Sequence, residues 1–249
     1  MAVFFADDPQ GKLSIPLRPS SILFGFIWPH LCIIIQIFMT NVIQQKSLVK
    51  SDYKNYIEKG VSYNLYKQQM ATDLALNDDQ KIKEYIHLNL RRMHRVENTY
   101  KPSAEIQTEV KNLKYKTYWL ILTEHWCGDA SQSLPALHTI AELSAGKIEM
   151  KIVYRDQNDE LMNAYLTHGT RSIPKLIQLD SNFNVTGSWG PRPTLAQKLV
   201  KELKSNPATA STYANELHLW YAKNKQQELE KEIAQLIFRA KLFCLDCLS

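Results

Sequence analysis

The stretch TYWLILTEHWCGDA, residues 117–130, decides how this 249-residue chain folds. The β-branched and aromatic run from Thr117 to Thr123 predicts a buried strand, and the pattern from Gln132 to Ala145 predicts a helix after it. Cys127 therefore stands where the strand gives way to the helix, among backbone N–H groups that lack helical partners. Because those groups and the helix dipole favour a thiolate, the stretch predicts cysteine redox chemistry with one local thiol.

The region after this stretch continues to alternate between strand and helix patterns. The predicted elements are a strand at Ile148–Tyr154, a helix at Asp159–His168, strands at Lys175–Leu179 and Asn184–Trp189, and a helix from Thr194 to about Lys204. Strand, helix and strand in succession predict a parallel pair joined by a right-handed crossover. Asp180, Ser181 and Asn182 separate the last two strands, which predicts a hairpin.

Helical patterns flank this region on both sides. Residues 41–112 predict several helices, one starting at Ser51 or Asp52 and ending at Gly60, and a longer one capped by Asn77 or Asp78. The expected buried stripe of the longer helix is Ile82, Tyr85, Ile86, Leu88, Leu90 and Met93. Residues 210–243 predict one or two amphipathic helices. The expected organisation is a leader at 1–38, a helical extension at 39–113, a core at 114–207 and a C-terminal helical extension at 208–249.

The charge of the chain argues against nucleic-acid binding. Lys and Arg exceed Asp and Glu by 30 to 25, giving a net charge of +5, and the basic residues are dispersed. The one short basic group is Arg91, Arg92, His94 and Arg95. We interpret it as the solvated face of a helix, with a patch that binds an anion or RNA as the alternative.

The cysteines indicate a reducing compartment. Cys32, Cys127, Cys244 and Cys247 are too few and too unevenly spaced for the disulfide framework of a small secreted domain. Cys244 and Cys247 form a CxxC pair, but no second CxxC or His pair stands at zinc-site spacing, so no metal site is predicted. The expected location is therefore the cytoplasm.

The apolar segment from Ile22 to Met39 leaves the location open, because its length is at the lower limit for a membrane span. A cleaved signal peptide is one interpretation, although the leader before the apolar part is long. A signal anchor is the second, with Pro29 and His30 near its middle. The third is that translation starts at Met39, which removes the membrane tether.

The site residues resemble those of the thioredoxin family, in a branch common in bacteria. Trp126-Cys127-Gly128-Asp129-Ala130 resembles the active-site motif WCGPC, with Asp129 and Ala130 in place of the proline and the second cysteine. Ser172-Ile173-Pro174 stands where that family has a cis-proline, and Pro135 where it has a helix-kinking proline. The resemblance covers about Lys116 to Pro207. It implies an α/β thioredoxin-like fold, a central mixed sheet flanked by helices, here with helical N- and C-terminal extensions.

The resemblance assigns roles to the matched residues. Cys127 is the expected nucleophile, Trp126 would shield its sulfur, and a cis Pro174 would present the backbone of Ile173 to a peptide or to glutathione. Ala130 cannot resolve a mixed disulfide. An external thiol such as glutathione, or the distant Cys244 and Cys247, would have to do so.

Two further features have more than one interpretation. Asp129 stabilises the first helical turn or accepts the thiol proton, and its negative charge opposes thiolate formation. Arg171, Trp189 and Arg192 would line a groove for an anionic ligand, or the arginines form surface salt bridges.

Two functions follow from these predictions. The first is thiol–disulfide exchange with a single active-site cysteine, acting on protein thiols or disulfides or on glutathione, with no bound cofactor. The alternative is a non-catalytic module that binds a peptide or protein. A membrane is a partner only if residues 1–38 are retained as an anchor.

Overall fold

The computed structural model describes residues 47–246, with side chains described as far as residue 241. The four strands are β1 (Thr117–Thr123), β2 (Ile148–Tyr154), β3 (Lys175–Leu179) and β4 (Val185–Trp189). The helices before β1 are α1 (Lys50–Lys59), α2 (Tyr63–Leu76), α3 (Gln80–Thr99) and α4 (Ala104–Lys111). The later helices are α5 (Gly128–Leu143), α6 (Asp159–Ala164), α7 (Thr194–Ser205), α8 (Tyr213–Asn224) and α9 (Gln227–Asp246).

The strands form one mixed sheet in the order β2-β1-β3-β4. β1 runs parallel to β2, with Thr117 opposite Ile148, and antiparallel to β3, which forms a hairpin with β4. Helices flank the sheet, so the predicted thioredoxin-like α/β fold with a C-terminal helical extension is confirmed. The parallel pair and the hairpin are also as predicted.

The central strand β1 is the most deeply buried part of the sheet. Leu120, Ile121 and Leu122 are fully buried, as expected for a strand covered on both faces. The indole N–H of Trp119 donates to Oε1 of Gln178 on β3 at 3.0 Å. Gln178 in turn donates from Nε2 to the carbonyl of Leu236 at 2.8 Å, which ties α9 to the sheet.

The N-terminal helices cover the edge strand β2. Val61, between α1 and α2, exchanges two backbone hydrogen bonds with Ile152, each 2.9 Å long. This bridge satisfies backbone groups that an open edge would expose. α1 ends before Gly60, as predicted.

The long helix α3 differs from its predicted form in its cap and its buried face. Asp79 caps it, accepting from the N–H groups of Lys81 and Ile82, where we expected Asn77 or Asp78. Tyr85 and Leu88, expected in the buried stripe, are 45% and 40% exposed. The buried face instead contains a polar residue, Asn89, which is fully buried.

Two other helix boundaries also differ from the prediction. α5 begins at Gly128 instead of Gln132, directly after Cys127. α6 ends at Ala164 instead of His168, because Thr167 and Thr170 pair across a turn in which His168 and Gly169 have positive φ. The first difference places the cysteine itself at the helix N-cap.

The helices α7 and α8 pack against each other through a second hydrophobic cluster. Ala196 and Val200 of α7 meet Leu217 and Tyr221 of α8, and all four are buried. Within residues 47–246, no helix has both the length and the apolar character needed to cross a bilayer. The segment Ile22 to Met39 lies outside the described residues.

We expect Gly190→Ala to destabilise the protein more than Gly146→Ala. Both glycines have positive φ, but a Cβ at Gly190 would lie 2.2 Å from the carbonyl oxygen of Pro174, whereas one at Gly146 meets nothing within 4 Å. Backbone strain alone costs roughly 1 kcal/mol, and the clash adds about 2 kcal/mol or more. Urea denaturation of both variants measures the difference. Equal losses would contradict the steric argument.

Candidate active site

Cys127 lies at the junction of β1 and α5 as the N-cap of the helix. Its N–H donates to the carbonyl of Glu124 at 3.1 Å, which closes the turn after the strand. Its Sγ donates to the carbonyl of Ile173 at 3.3 Å, and the Ile173–Pro174 peptide bond is cis. The structure thus brings together Cys127, Ile173 and Pro174, which are distant in the sequence.

The thiol of Cys127 is buried, with 6% of the residue exposed. Burial, and after it the nearby charge of Asp129, raise the pKa of Cys127 to about 12, although the backbone N–H groups of Ala130 and Asp129 lower it in part. The expectation that the helix N-terminus makes this thiol acidic is therefore wrong. Desolvation of the thiolate outweighs the favourable backbone groups.

Asp129 is a buried carboxylate with two firm partners. Arg192 donates to its Oδ2 from Nε at 3.0 Å and from Nη2 at 2.5 Å. The hydroxyl of Tyr221 on α8 donates to Oδ1 at 2.8 Å. Burial and the Asp129 charge raise the pKa of Tyr221 well above its usual value. The Cys127 thiol donates to the carbonyl of Ile173 and not to this carboxylate.

The remaining motif residues form the surface around the sulfur. Ala130 is fully buried, and Trp126 and Gly128 are half-buried. The guanidinium of Arg155 lies 4.9 Å from the centre of the Trp126 ring, a cation–π contact. An apolar, half-exposed indole therefore borders Cys127 on one side.

The predicted ligand groove is not present as expected. Trp189 is buried, and its indole N–H donates to Oε2 of Glu232 on α9 at 2.6 Å. Arg171 pairs with Asp159 at 2.5 Å, and Arg192 pairs with Asp129. The two arginines are thus neutralised within the chain, and the indole faces a helix instead of solvent.

The candidate resolving cysteines cannot be placed against Cys127. Cys244 lies in the last part of α9, where the structure describes the backbone alone. Cys247 lies outside the described residues. Within the described part of the chain, no group of three or more His, Cys, Asp or Glu residues could hold a metal ion.

A polar network that the sequence did not predict supports the loop before Cys127. His125 Nδ1 lies 2.8 Å from Oδ2 of Asp73, and its Nε2 lies 3.0 Å from the hydroxyl of Tyr154. Burial lowers the pKa of His125, against the opposing effect of Asp73. Asn89 of α3 donates to the His125 carbonyl at 3.1 Å. The sequence signal for this contact is Asn89 itself, because it is a polar residue inside an otherwise apolar helical stripe.

The basic group of α3 is divided between solvent and the site. Arg91 and His94 are exposed, as expected, but Arg92 and Arg95 are half-buried against α5. Arg95 donates to Oε1 of Gln132 at 2.6 Å. The interpretation of this group as a solvated face is therefore wrong for two of its four residues.

Comparisons with known proteins agree with this geometry. A family model described as Thioredoxin matches residues 75–204, more than half of the chain. Thioredoxin 1 of Nostoc sp. is 35% identical over 80 residues, which cover 31% of this chain and 72% of that protein.

Two solved structures share the fold. A Pseudomonas aeruginosa protein of unknown function has a TM-score of 0.54 at 18% identity, over 76% of this chain and 98% of that one. An HIV epitope scaffold has a TM-score of 0.50 at 17% identity, over 74% of this chain and 96% of that one. At these identities the two structures support the fold alone.

We expect Asp129→Asn to lower the pKa of Cys127, because it removes a negative charge beside the thiol and leaves Arg192 without its counter-ion. A decrease of one pKa unit gives about tenfold more thiolate at pH 8. The rate of alkylation by iodoacetamide should be higher in the variant at every pH from 7 to 10, since that range lies below the pKa of the unmodified thiol. Asp78→Asn, at an exposed position, is the control and should leave the rate unchanged. An unchanged or lower rate in Asp129→Asn would contradict the electrostatic explanation.

Proposed function

Because the chain belongs to the thioredoxin family, we propose that it carries out thiol–disulfide exchange with Cys127 as the single reacting sulfur. Proteins of this family generally act on protein thiols or disulfides. The observation that carries the proposal is the position of the Cys127 sulfur at the N-cap of α5, 3.3 Å from the carbonyl of Ile173. A disulfide docked beside that backbone would present a sulfur to Cys127.

The exchange would proceed in two balanced steps. The Cys127 thiolate attacks one sulfur of the substrate disulfide, forming a mixed disulfide while the substrate S–S bond breaks and the second substrate sulfur leaves as a thiolate. Since Ala130 has no sulfur, another thiolate must resolve the mixed disulfide. An external thiolate such as that of glutathione attacks the substrate sulfur, forms a new disulfide with it and releases Cys127 as a thiolate. A thiolate of Cys244 or Cys247 instead attacks the Cys127 sulfur, which releases the substrate thiolate and leaves an intramolecular disulfide for an external thiol to reduce.

The backbone at Ile173 would hold the substrate. Its carbonyl accepts the Cys127 S–H in the resting protein, and a substrate N–H could replace that donor once the thiolate forms. The half-exposed indole of Trp126 would cover the apolar side of the substrate, while Arg155 lies over its ring. This arrangement suits an extended peptide better than a bulky folded surface.

The resting thiol sets the pH dependence of the proposed reaction. With a pKa of about 12, roughly one Cys127 in 10⁵ is a thiolate at pH 7. Exchange should therefore become about tenfold faster for each pH unit until the pKa is approached. The free protein would react slowly near neutral pH.

A second candidate function is a binding module without turnover. The burial of Cys127 and its raised pKa favour it, because a protonated, covered thiol is a poor nucleophile. In that case the surface around Trp126 and Ile173 would bind a peptide through its backbone and apolar side chains. We place either activity in the cytoplasm, without a bound cofactor.

Reduction of 2-hydroxyethyl disulfide by dithiothreitol tests exchange with uncharged reactants. We expect catalysed turnover that rises with pH and is lost in Cys127→Ser. A double variant, Cys244→Ser with Cys247→Ser, separates the two routes of resolution: retained turnover assigns resolution to the external thiol, and lost turnover assigns it to the C-terminal pair. Absence of Cys127-dependent turnover up to pH 10 would overturn the exchange proposal and favour the binding module.

A further inference from the structure

Two half-buried arginines beside the active-site helix form their side-chain hydrogen bonds with neutral amides. Arg92 donates from Nη1 to Oδ1 of Asn89 at 2.9 Å, and Arg95 donates to Oε1 of Gln132 at 2.6 Å, so both known partners are neutral amides. No carboxylate among the described side chains lies within ion-pair distance of either guanidinium. Burial lowers the pKa of both arginines, and the charge of Asp129 opposes this effect at Arg92 in part.

A histidine of α8 completes this group. Gln132 uses its Oε1 for Arg95, so its amide Nε2 donates to Nδ1 of His218 at 3.1 Å. With Nδ1 as the acceptor, the proton of the neutral ring is on Nε2. Burial and the nearby charge of Arg92 lower the pKa of His218 to about 4, which agrees with a neutral ring.

The donors of this group converge on Gly128, the residue after Cys127. A Cβ built at Gly128 would lie 3.2 Å from Nε2 of His218 and 3.4 Å from Nη1 of Arg92. The charge of Asp129 acts on Arg92, but both oxygens of that carboxylate are bound by Arg192 and Tyr221. His218 and Arg92 therefore pack against the backbone of Gly128, and among the described residues neither Arg92 nor Arg95 has a carboxylate as a direct partner.

We propose that Arg92, Arg95 and His218 bind a carboxylate of a small acidic thiol or disulfide, which places its sulfur at Cys127. This inference rests on the proposed exchange function and names the class of its small co-substrate. Guanidinium groups pair with carboxylates through two hydrogen bonds, and a half-buried pair gains from the low local dielectric. Because Cys127 directly precedes Gly128, a ligand with both a carboxylate and a sulfur suits this position better than an inorganic anion does.

Binding of S-methylglutathione tests the site without covalent reaction, since its sulfur is blocked. We expect binding to the full-length protein by calorimetry, with perturbation of the His218 ring signals in NMR spectra. Arg92→Gln and Arg95→Gln should each weaken binding about tenfold, the usual effect of losing one charged hydrogen bond. Arg91→Gln, on the exposed side of the same helix, should leave binding unchanged. Arg92→Lys should bind with intermediate affinity, and circular dichroism checks that every variant is folded.

Binding of two further ligands tests which chemical groups the site recognises. The diethyl ester of S-methylglutathione should bind at least about tenfold more weakly, because its carboxylates are neutralised. Inorganic phosphate should bind more weakly than S-methylglutathione. Equal binding of the ester, equal or tighter binding of phosphate, or insensitivity to Arg92→Gln would each overturn the proposal.

The reaction of uncharged reactants separates this inference from the function on which it rests. With 2-hydroxyethyl disulfide as the substrate, Arg92→Gln should lower the ratio of the rate with glutathione to the rate with dithiothreitol about tenfold, because only glutathione uses the carboxylate site. An unchanged ratio would overturn the co-substrate role of the site. If the unmodified protein shows no turnover with either reductant, the exchange function fails, and the co-substrate role of the site fails with it even where S-methylglutathione binds.

Discussion

The buried carboxylate of Asp129 is the interaction on which the arrangement of the site depends. It joins the first turn of α5 to Arg192 in the loop before α7 and to Tyr221 on α8. A charge buried to this degree must be paired, and breaking such a pair typically costs about 3–5 kcal/mol. The contact therefore holds α8 and the loop before α7 against the helix that carries Cys127.

The same carboxylate acts against the chemistry that the helix N-terminus would favour. Backbone N–H groups of α5 lower the pKa of Cys127, but burial and Asp129 raise it by more. The sulfur is consequently held as a hydrogen-bond donor to Ile173 and not as a thiolate. Asp129 stabilises the packing around the site but disfavours the thiolate of Cys127. In the resting protein the thiol is therefore protonated.

The local features of the fold could be predicted from the sequence, because they depend on neighbouring residues. The bounds of β1 and β2 could be predicted from their runs of β-branched and aromatic residues. The end of α1 could be predicted from Gly60. The placement of Cys127 at a strand-to-helix junction also follows from the local pattern. The prediction that Tyr85 and Leu88 are buried is wrong. The apolar residues of α3 form a broad stripe, and the sequence does not show which side of that stripe faces the core.

The partners of the site residues could not be predicted, because they come from distant segments. Arg192 and Tyr221 lie 63 and 92 residues from Asp129. Asn89 of α3 supports the loop from the other side through the carbonyl of His125. The N-terminal segment thus donates to the His125 carbonyl, and the C-terminal segment donates to Oδ1 of Asp129. Leaving a buried polar group of this kind unsatisfied costs about 1–3 kcal/mol. The helical segments on both sides are therefore part of the active-site structure, and a fragment containing only the central sheet and its crossover helices would not reproduce the environment of Cys127.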